Sequence, residues 1–405
     1  MGRTGILKGV RIVDLSIAVA GSSGSQLLGD MGAEVIKIEP PGVGEIIRDS
    51  APKLKGESYY FLANNRNKKG LTLDLSTEAG RETLHDLIKV SDVVYDNLRP
   101  GVVERLGAGF ETARKINPKI ISCSLSGYGS SGPYRDYPSF DDMAEGLSGV
   151  YSLNGEPGGR PMRVPVTIAD LAGGFFAATG VIAALYEREH TGLGRKVEVN
   201  LLDAVMYYLS AHFQFYFITG EAPQPQGSRH PTTPMVGIFQ TRNGYLALGP
   251  SWPRIARVVN KEWMIDDPRF NTVEGRFENK KDFEDLIEDG LRQADTEDWL
   301  ELMHLEDIAC APVNTLDKVV KDPQIVHNKT ITTMHHPLCG EIRGIDCPIN
   351  MIDAMEEEHM PPPTLGQHTD EVLKGILGYS DEKIRRLKDE EGTAEEIRAR
   401  TRRRI

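Results

Sequence analysis

Between residues 10 and 125 the chain alternates strand-forming and helix-forming stretches, and this limits its folds more than any other feature. Val10–Leu15 (VRIVDL) is a β-branched run, followed by a loop of small residues, AVAGSSGS, a helix-forming stretch, QLLGDMGA, and a second strand at Glu34–Glu39 (EVIKIE). Strand, small-residue turn, helix and strand within about 30 residues make a βαβ unit, whose strands lie parallel. The pattern recurs as Gly70–Leu75 (GLTLDL), the helix TEAGRETLHDLIKVS and Asp92–Tyr95 (DVVY), then Lys119–Leu125 (KIISCSL). The expectation is an open α/β domain over roughly the first 200 residues.

At 405 residues the chain is too long for one small domain and implies two or three units. Leu171–Tyr186 is a run of 16 uncharged residues between Asp170 and Glu187, short for a bilayer span and suited to a buried helix. The Pro- and Gly-dense segment GEAPQPQGSRHPTTP has little capacity to pack and reads as a crossing between domains. Beyond it, MVGIFQTRNGYLALG reads as a hairpin around Arg242-Asn243-Gly244, followed by helix to about Leu316. A Pro-rich segment, MPPPTLGQHTDEV, precedes a helix, DEVLKGILG, and the basic end RARTRRRI reads as a solvated helix end rather than an interaction arm.

Charge and cysteine content exclude several classes. The 47 basic against 59 acidic residues give a net of −12, unsuited to a surface that binds nucleic acid or anionic lipid. The four cysteines, Cys123, Cys310, Cys339 and Cys347, have neither disulfide-scaffold nor zinc spacing, so no metal is expected. The first residues run straight into a strand without the apolar region of a signal peptide, and the expectation is a soluble cytoplasmic protein.

Few residues stand out as chemistry. The first loop carries Gly21 and Gly24 without the G-x-G-x-x-G of a dinucleotide site, which favours a tight strand-to-helix connection over NAD binding. Asp170 sits between an extended segment and the apolar helix, with Gly173 and Gly174 behind it. The helix N–H groups and dipole are expected to keep its carboxylate ionised, the glycines to leave room for a ligand, and the carboxylate to serve as a nucleophile. A plain N-cap is the commoner use of such an aspartate. Arg99 and Arg105, in DNLRPGVVERLG, suit phosphate or an ordinary surface helix equally. Ser124–Pro133 exposes backbone N–H groups that suit a carbonyl or phosphate, or is a plain loop. His212 reads as a core residue and His335-His336 as a surface turn; no G-x-S-x-G, P-loop or H-E-x-x-H occurs.

Taken in order, LKGVRIVDLS, MGAEVIKIEPPGVGEIIR, NNRNKKGLTLDL, DNLRPGVVERLG, INPKIISCSLSGYGSSGPY, TIADLAGG, TGLGRKVEVNLLDAV and LGQHTDEVLKGILGYSDEKI resemble the class III coenzyme A transferases. The resemblance implies a Rossmann-like large domain from residues 1–220 and 326–405, a smaller α+β domain in 221–325, and a homodimer of interlocked rings. Extended connections would lie near residues 220–235 and 320–340. It implies Asp170 as the nucleophile and CoA contacts from Ala18, Val19, Leu73, Asn97, Leu98, Arg99, Arg105, Ser139, Phe140 and Asp141. Substrates would be an acyl-CoA and a carboxylic acid, with no permanently bound cofactor, nucleic acid or membrane.

The family's racemase branch needs a histidine where this chain has Phe140, so transfer is favoured over racemisation. A Rossmann-type NAD-dependent dehydrogenase and a CoA-binding protein without catalysis are the remaining alternatives. Three departures bear on specificity. The glycine run of formyl-CoA transferases is reduced to Gly227 and Gly237, while Pro40 and Pro138 stand where the family has Arg and Lys. Arg229 and His230, in the crossing, are candidates for the acceptor carboxylate.

Overall fold

In the computed structural model, which describes residues 3–351 and 356–397, the chain divides into two compact units. The larger comprises residues 1–149, 164–214 and 323–405, the smaller residues 150–163 and 215–322. Residues 150–163, expected in the large domain, thus group with the smaller unit. The basic end at 398–405 lies outside the described residues.

The larger unit is built on six parallel strands: β1 (Arg11–Asp14), β2 (Glu34–Glu39), β3 (Lys68–Thr72), β4 (Val93–Asp96), β5 (Ile121–Ser126) and β6 (Lys196–Asn200). Their order is β3-β2-β1-β4-β5-β6. The chain therefore reverses its direction of travel across the sheet between β1 and β4, a topological switch point. β2 and β4 are buried along almost their whole length because helices cover both faces; β4 is apolar through Val93–Tyr95, whereas β2 carries Lys37 and Glu39 among its apolar residues.

One face carries α1 (Ala18–Asp30), and the other α2 (Glu78–Lys89) and α3 (Phe110–Ile116). Thr77 caps α2 by accepting the Gly80 N–H at 3.0 Å, with Glu78 and Lys89 placed favourably for the helix dipole. After α4 (Asp141–Ser148), the 24-residue α5 (Ile168–Thr191) packs on α1, and its Ala177, Ala178 and Val181 join the core of that face. A Cβ on Gly24 would sit 2.6 Å from the Gly174 carbonyl oxygen, so α1 and α5 meet backbone to backbone. A Cβ on Gly173 would sit 2.7 Å from Leu201. Gly173 and Gly174 therefore serve close packing and leave no space for a ligand, contrary to the expectation from sequence.

The C-terminal region returns to this unit. His368 N–H donates to the Gly70 carbonyl at 2.9 Å and Thr72 N–H to Thr369 Oγ1 at 3.2 Å, which ties edge strand β3. Between the units' boundary and that return, residues 320–340 hold a short helix, Pro323–His327, and the first strand of the Ile331–His336/Gly340–Ile345 hairpin, so they are not an extended connection. His336 is buried there, accepting the N–H groups of Leu338 and Cys339 on Nδ1, rather than lying on a surface turn. His212 is half-buried in the Ser210–Thr219 helix, which has no fully buried residue, so it is not a core histidine.

In the smaller unit, Gly237–Gln240, Tyr245–Leu248 and Cys310–Pro312 form an antiparallel sheet over a core of Phe239, Leu246, Phe270, Phe283 and Trp299. Its first two strands are the hairpin around Asn243-Gly244.

One feature of the sheet breaks the apolar rule. Lys37, fully buried in the middle of β2, pairs with Glu45 at 2.9 Å and donates to the Ser16 carbonyl at 2.9 Å. Lys68, at the start of β3, reaches Asp14 at 3.3 Å and the Ser22 carbonyl at 2.9 Å. Asp14 also accepts from Ser25 Oγ, and Glu45 accepts the Ala18 N–H at 2.7 Å. Burial opposes every charge here, yet the two lysines hold Asp14 below the ordinary carboxylate value. Burial pushes Lys68 down to about 8. These groups lie under the β1–α1 turn and fix its path. Removing one partner leaves a buried charge uncompensated, so Lys37→Met should cost about 3–5 kcal/mol. The urea midpoint measures this, and the double variant Lys37→Met/Glu45→Leu should recover part of the loss.

Candidate active site

At the carboxyl ends of β1, β4 and β5, beside the switch point, lies a cavity of about 90 Å³. Its walls come from the β1–α1 turn (Ile17, Ala18), the turn after β4 (Asn97–Pro100), the end of β5 (Leu125–Tyr128), the loop through Ser139 and Phe140, and Asp170. Open α/β sheets bind their ligands at this place because the diverging loops leave a crevice there.

Asn97 joins two of these turns: its Oδ1 accepts the Ile17 N–H at 2.8 Å and its Nδ2 donates to the Ile17 carbonyl at 2.8 Å. Asp96 below it accepts the Leu98 N–H at 3.1 Å and Ser124 Oγ at 2.7 Å, and burial pushes it up to about 7. In dinucleotide sites the first N–H groups of α1 face a pyrophosphate. Here the N–H of Ile17 goes to Asn97 and that of Ala18, held at a φ of 57°, to Glu45. Two side chains thus take N–H groups at the start of α1, which argues against the dehydrogenase alternative.

Asp170 lies in the first turn of α5, whose Thr167 makes no side-chain cap. Its helix is capped from α4 instead. Asp141 Oδ1 accepts the N–H groups of Ala169 at 3.0 Å and Asp170 at 3.1 Å, and Glu145 Oε1 accepts that of Ile168 at 3.2 Å. Asp170 is therefore not the cap, and the helix donors expected to keep it ionised are spent on two other carboxylates. Burial, then the charges of Asp141, Glu145 and Asp142, push the half-buried Asp170 up to about 7. The sequence expectation has the opposite sign because it counts the helix dipole and neither the burial nor the acids of α4.

Ala18, Asn97, Leu98, Arg99, Ser139 and Phe140 line the cavity with Asp170. Val19 is buried inside α1 and Asp141 behind the start of α5; neither lines it. Leu73 lines an adjoining apolar slot, which shares Ile17 and Leu98 with the cavity and also holds Pro40. Arg105 is exposed at the rim: a Cβ on Gly101 would lie 3.3 Å from its Nη1 and 3.8 Å from Nη2 of Arg135.

Arg135, Tyr128 and Tyr137, with Ala20 and Leu201, complete the walls, and none of these side chains was singled out from the sequence. The tyrosines of GYGSSGPYRDYP, with Tyr134 stacked on Tyr137 at 5.3 Å, were the available signal. In the smaller unit, Arg229 is committed to Glu284, Glu288 and the Phe239 ring, so it is not a free partner for a carboxylate. His230 accepts the Thr233 N–H at 3.1 Å on Nδ1.

Residues 7–369 match the model of CoA-transferase family III. Succinyl-CoA:glutarate CoA-transferase of Mus musculus is 34% identical over 386 residues, covering 94% of this chain and 88% of its own. Formyl-CoA:oxalate CoA-transferase of Streptomyces avermitilis is 31% identical, covering 95% and 98%. Among solved structures, a CaiB/BaiF family protein from Brucella suis superposes with a TM-score of 0.84 at 28% identity, covering 93% of this chain and 100% of that one.

The raised Asp170 value has a definite sign. Between the ordinary value of 3.8 and about 7 the unfolded chain ionises before the folded one. This group therefore removes stability as the pH rises through that window, and its penalty is complete above it. Asp141→Asn keeps an acceptor for the helix and removes the nearest charge. Carbodiimide labelling of Asp170, which needs the protonated acid, should then lose half its extent at a lower pH than in the natural protein, read from the peptide mass.

Proposed function

The chain belongs to CoA-transferase family III, and from that premise we propose that it moves CoA from an acyl-CoA donor to a free carboxylic acid through covalent intermediates on Asp170. The observation that carries this reading is a half-buried carboxylate in the wall of a switch-point cavity rimmed by Arg99, Arg105 and Arg135.

The Asp170 carboxylate attacks the thioester carbonyl, the C–S bond breaks, and a mixed anhydride and CoA thiolate result. The thiolate attacks the aspartyl carbonyl and releases the donor acid, leaving an aspartyl-CoA thioester. The acceptor carboxylate attacks that thioester, a second anhydride forms, and the returning thiolate takes the acceptor's acyl group and restores Asp170. Every intermediate stays activated, so the sequence consumes no ATP and succeeds only where water is excluded. A carboxyl group poised near 7 suits this chemistry, because a more basic carboxylate is a better nucleophile while still substantially ionised at neutral pH.

Ala18, Asn97, Leu98, Arg99, Ser139 and Phe140 are proposed as carrier contacts in the cavity, with Leu73 in the adjoining slot and Arg105 with Arg135 on the phosphates. Val19 and Asp141 act from behind, through α1 and through the start of α5. The acids are proposed to be short dicarboxylates, the class named for the mouse relative; the missing glycine run speaks against formate. Racemisation is disfavoured because Phe140 has no proton to carry. Leu171, Phe175, Tyr186 and Tyr207 are exposed on α5 and the helix after it, and we assign them to the interface of an interlocked homodimer, soluble in the cytoplasm.

The test is conversion of succinyl-CoA and glutarate to glutaryl-CoA, followed by chromatography. Asp170→Asn should reduce the rate by on the order of 10³-fold or more while still binding CoA. In the natural protein kcat/KM should rise with pH through a value of about 7. An Asp170→Asn rate within tenfold of the natural one contradicts the mechanism, and exchange of the donor's α-proton with solvent would instead support the racemase.

A further inference from the structure

The apolar slot beside the cavity is lined in part by Ile397, from the C-terminal region of the chain. Leu15, Ile38, Leu73, Val102 and Leu106 form its walls, and Ile397 lies among them, only 4% exposed. Residues 393–396 immediately before it are all exposed. They form a helical turn closed on itself, with the Thr393 N–H donating to Glu396 Oε2 at 3.0 Å and the Ile397 N–H to the Thr393 carbonyl at 2.9 Å. Ala394 rests near Gly42: a Cβ there would lie 3.5 Å away. The turn falls beyond the span that matches the family model, residues 7–369. With Ile397 in place the slot keeps about 90 Å³, enough for a few waters.

We propose that the Thr393–Ile397 turn is a built-in competitor for this slot: Ile397 plugs it in the free protein, and the nucleotide end of coenzyme A displaces the plug on binding. The proposal rests on the CoA-transfer reading, which puts Leu73 and Leu98 against the carrier. A base and an isoleucine side chain cannot fill the same close-packed space, so binding of one requires departure of the other. Within Thr393–Ile397 the one buried side chain is that of Ile397. Burial on that scale shifts a docked-to-undocked population by roughly tenfold to a hundredfold, which a tightly bound carrier can overcome. The apparent affinity for CoA is then lowered by the fraction of molecules whose slot is plugged.

The experiment is titration calorimetry of CoA into the full chain and into Ile397→Ser, with hydrogen exchange of the peptide covering residues 391–397 measured in the natural protein. The expected result is a Kd roughly tenfold tighter for Ile397→Ser, together with faster exchange of that peptide when CoA is added. CoA binding with an unchanged or weaker Kd in the variant overturns the plug, as does CoA-induced protection of the peptide; either makes Ile397 a wall of the occupied site and leaves the transfer reading standing. Failure of both proteins to bind CoA removes the transfer reading and the plug with it.

Discussion

A lysine buried at the centre of a parallel sheet holds the β1–α1 turn in place. Lys37 binds Glu45 and the Ser16 carbonyl, Glu45 takes the Ala18 N–H, and Lys68 with Asp14 closes the network from below. Desolvating four charges is costly, and the pairing offsets it only while every member stays in place. The path of the turn depends on this network. From the turn, Ile17 reaches Asn97, and through Asn97 the loop after β4 is positioned, so the cavity and the apolar slot inherit their shared walls from the same set of charges.

The same economy governs Asp170. Its helix begins without a cap of its own, and α4 supplies one from two acids. That arrangement both fixes the backbone of Asp170 and brings negative charge to its carboxyl. Burial first, and then these acids, turn a helix start that would ordinarily favour an anion into a place where the carboxyl is pushed up to about 7. The cap from α4 fixes the backbone at Asp170, and burial together with the acids of α4 raises its carboxyl, so Asp141 acts on Asp170 without lining the cavity.

The parallel sheet is legible from sequence because β-branched strands and helix-forming stretches alternate at βαβ spacing, although the charged residues of β2 give no sign that both its faces are buried. Asp170 was legible as the residue between an extended segment and an apolar helix. Its electrostatics were not: the shift comes first from burial and then from acids some 25 to 29 residues upstream, in α4, and only the fold supplies either. Gly173 and Gly174 were misread for a related reason, since a glycine at a helix contact and a glycine beside a ligand look alike until the partner helix is placed. Arg135 and Tyr137 escaped notice because a polar, glycine-rich loop has no periodicity to show which side chains turn inward.

The covalent step is the central claim, and trapping it is the most direct measurement. The natural protein, incubated with succinyl-CoA and then hydroxylamine, is digested and the peptide spanning Asp170 weighed. The account predicts a hydroxamate on Asp170, formed only when the thioester is present. An unmodified peptide from protein that is turning over would contradict it.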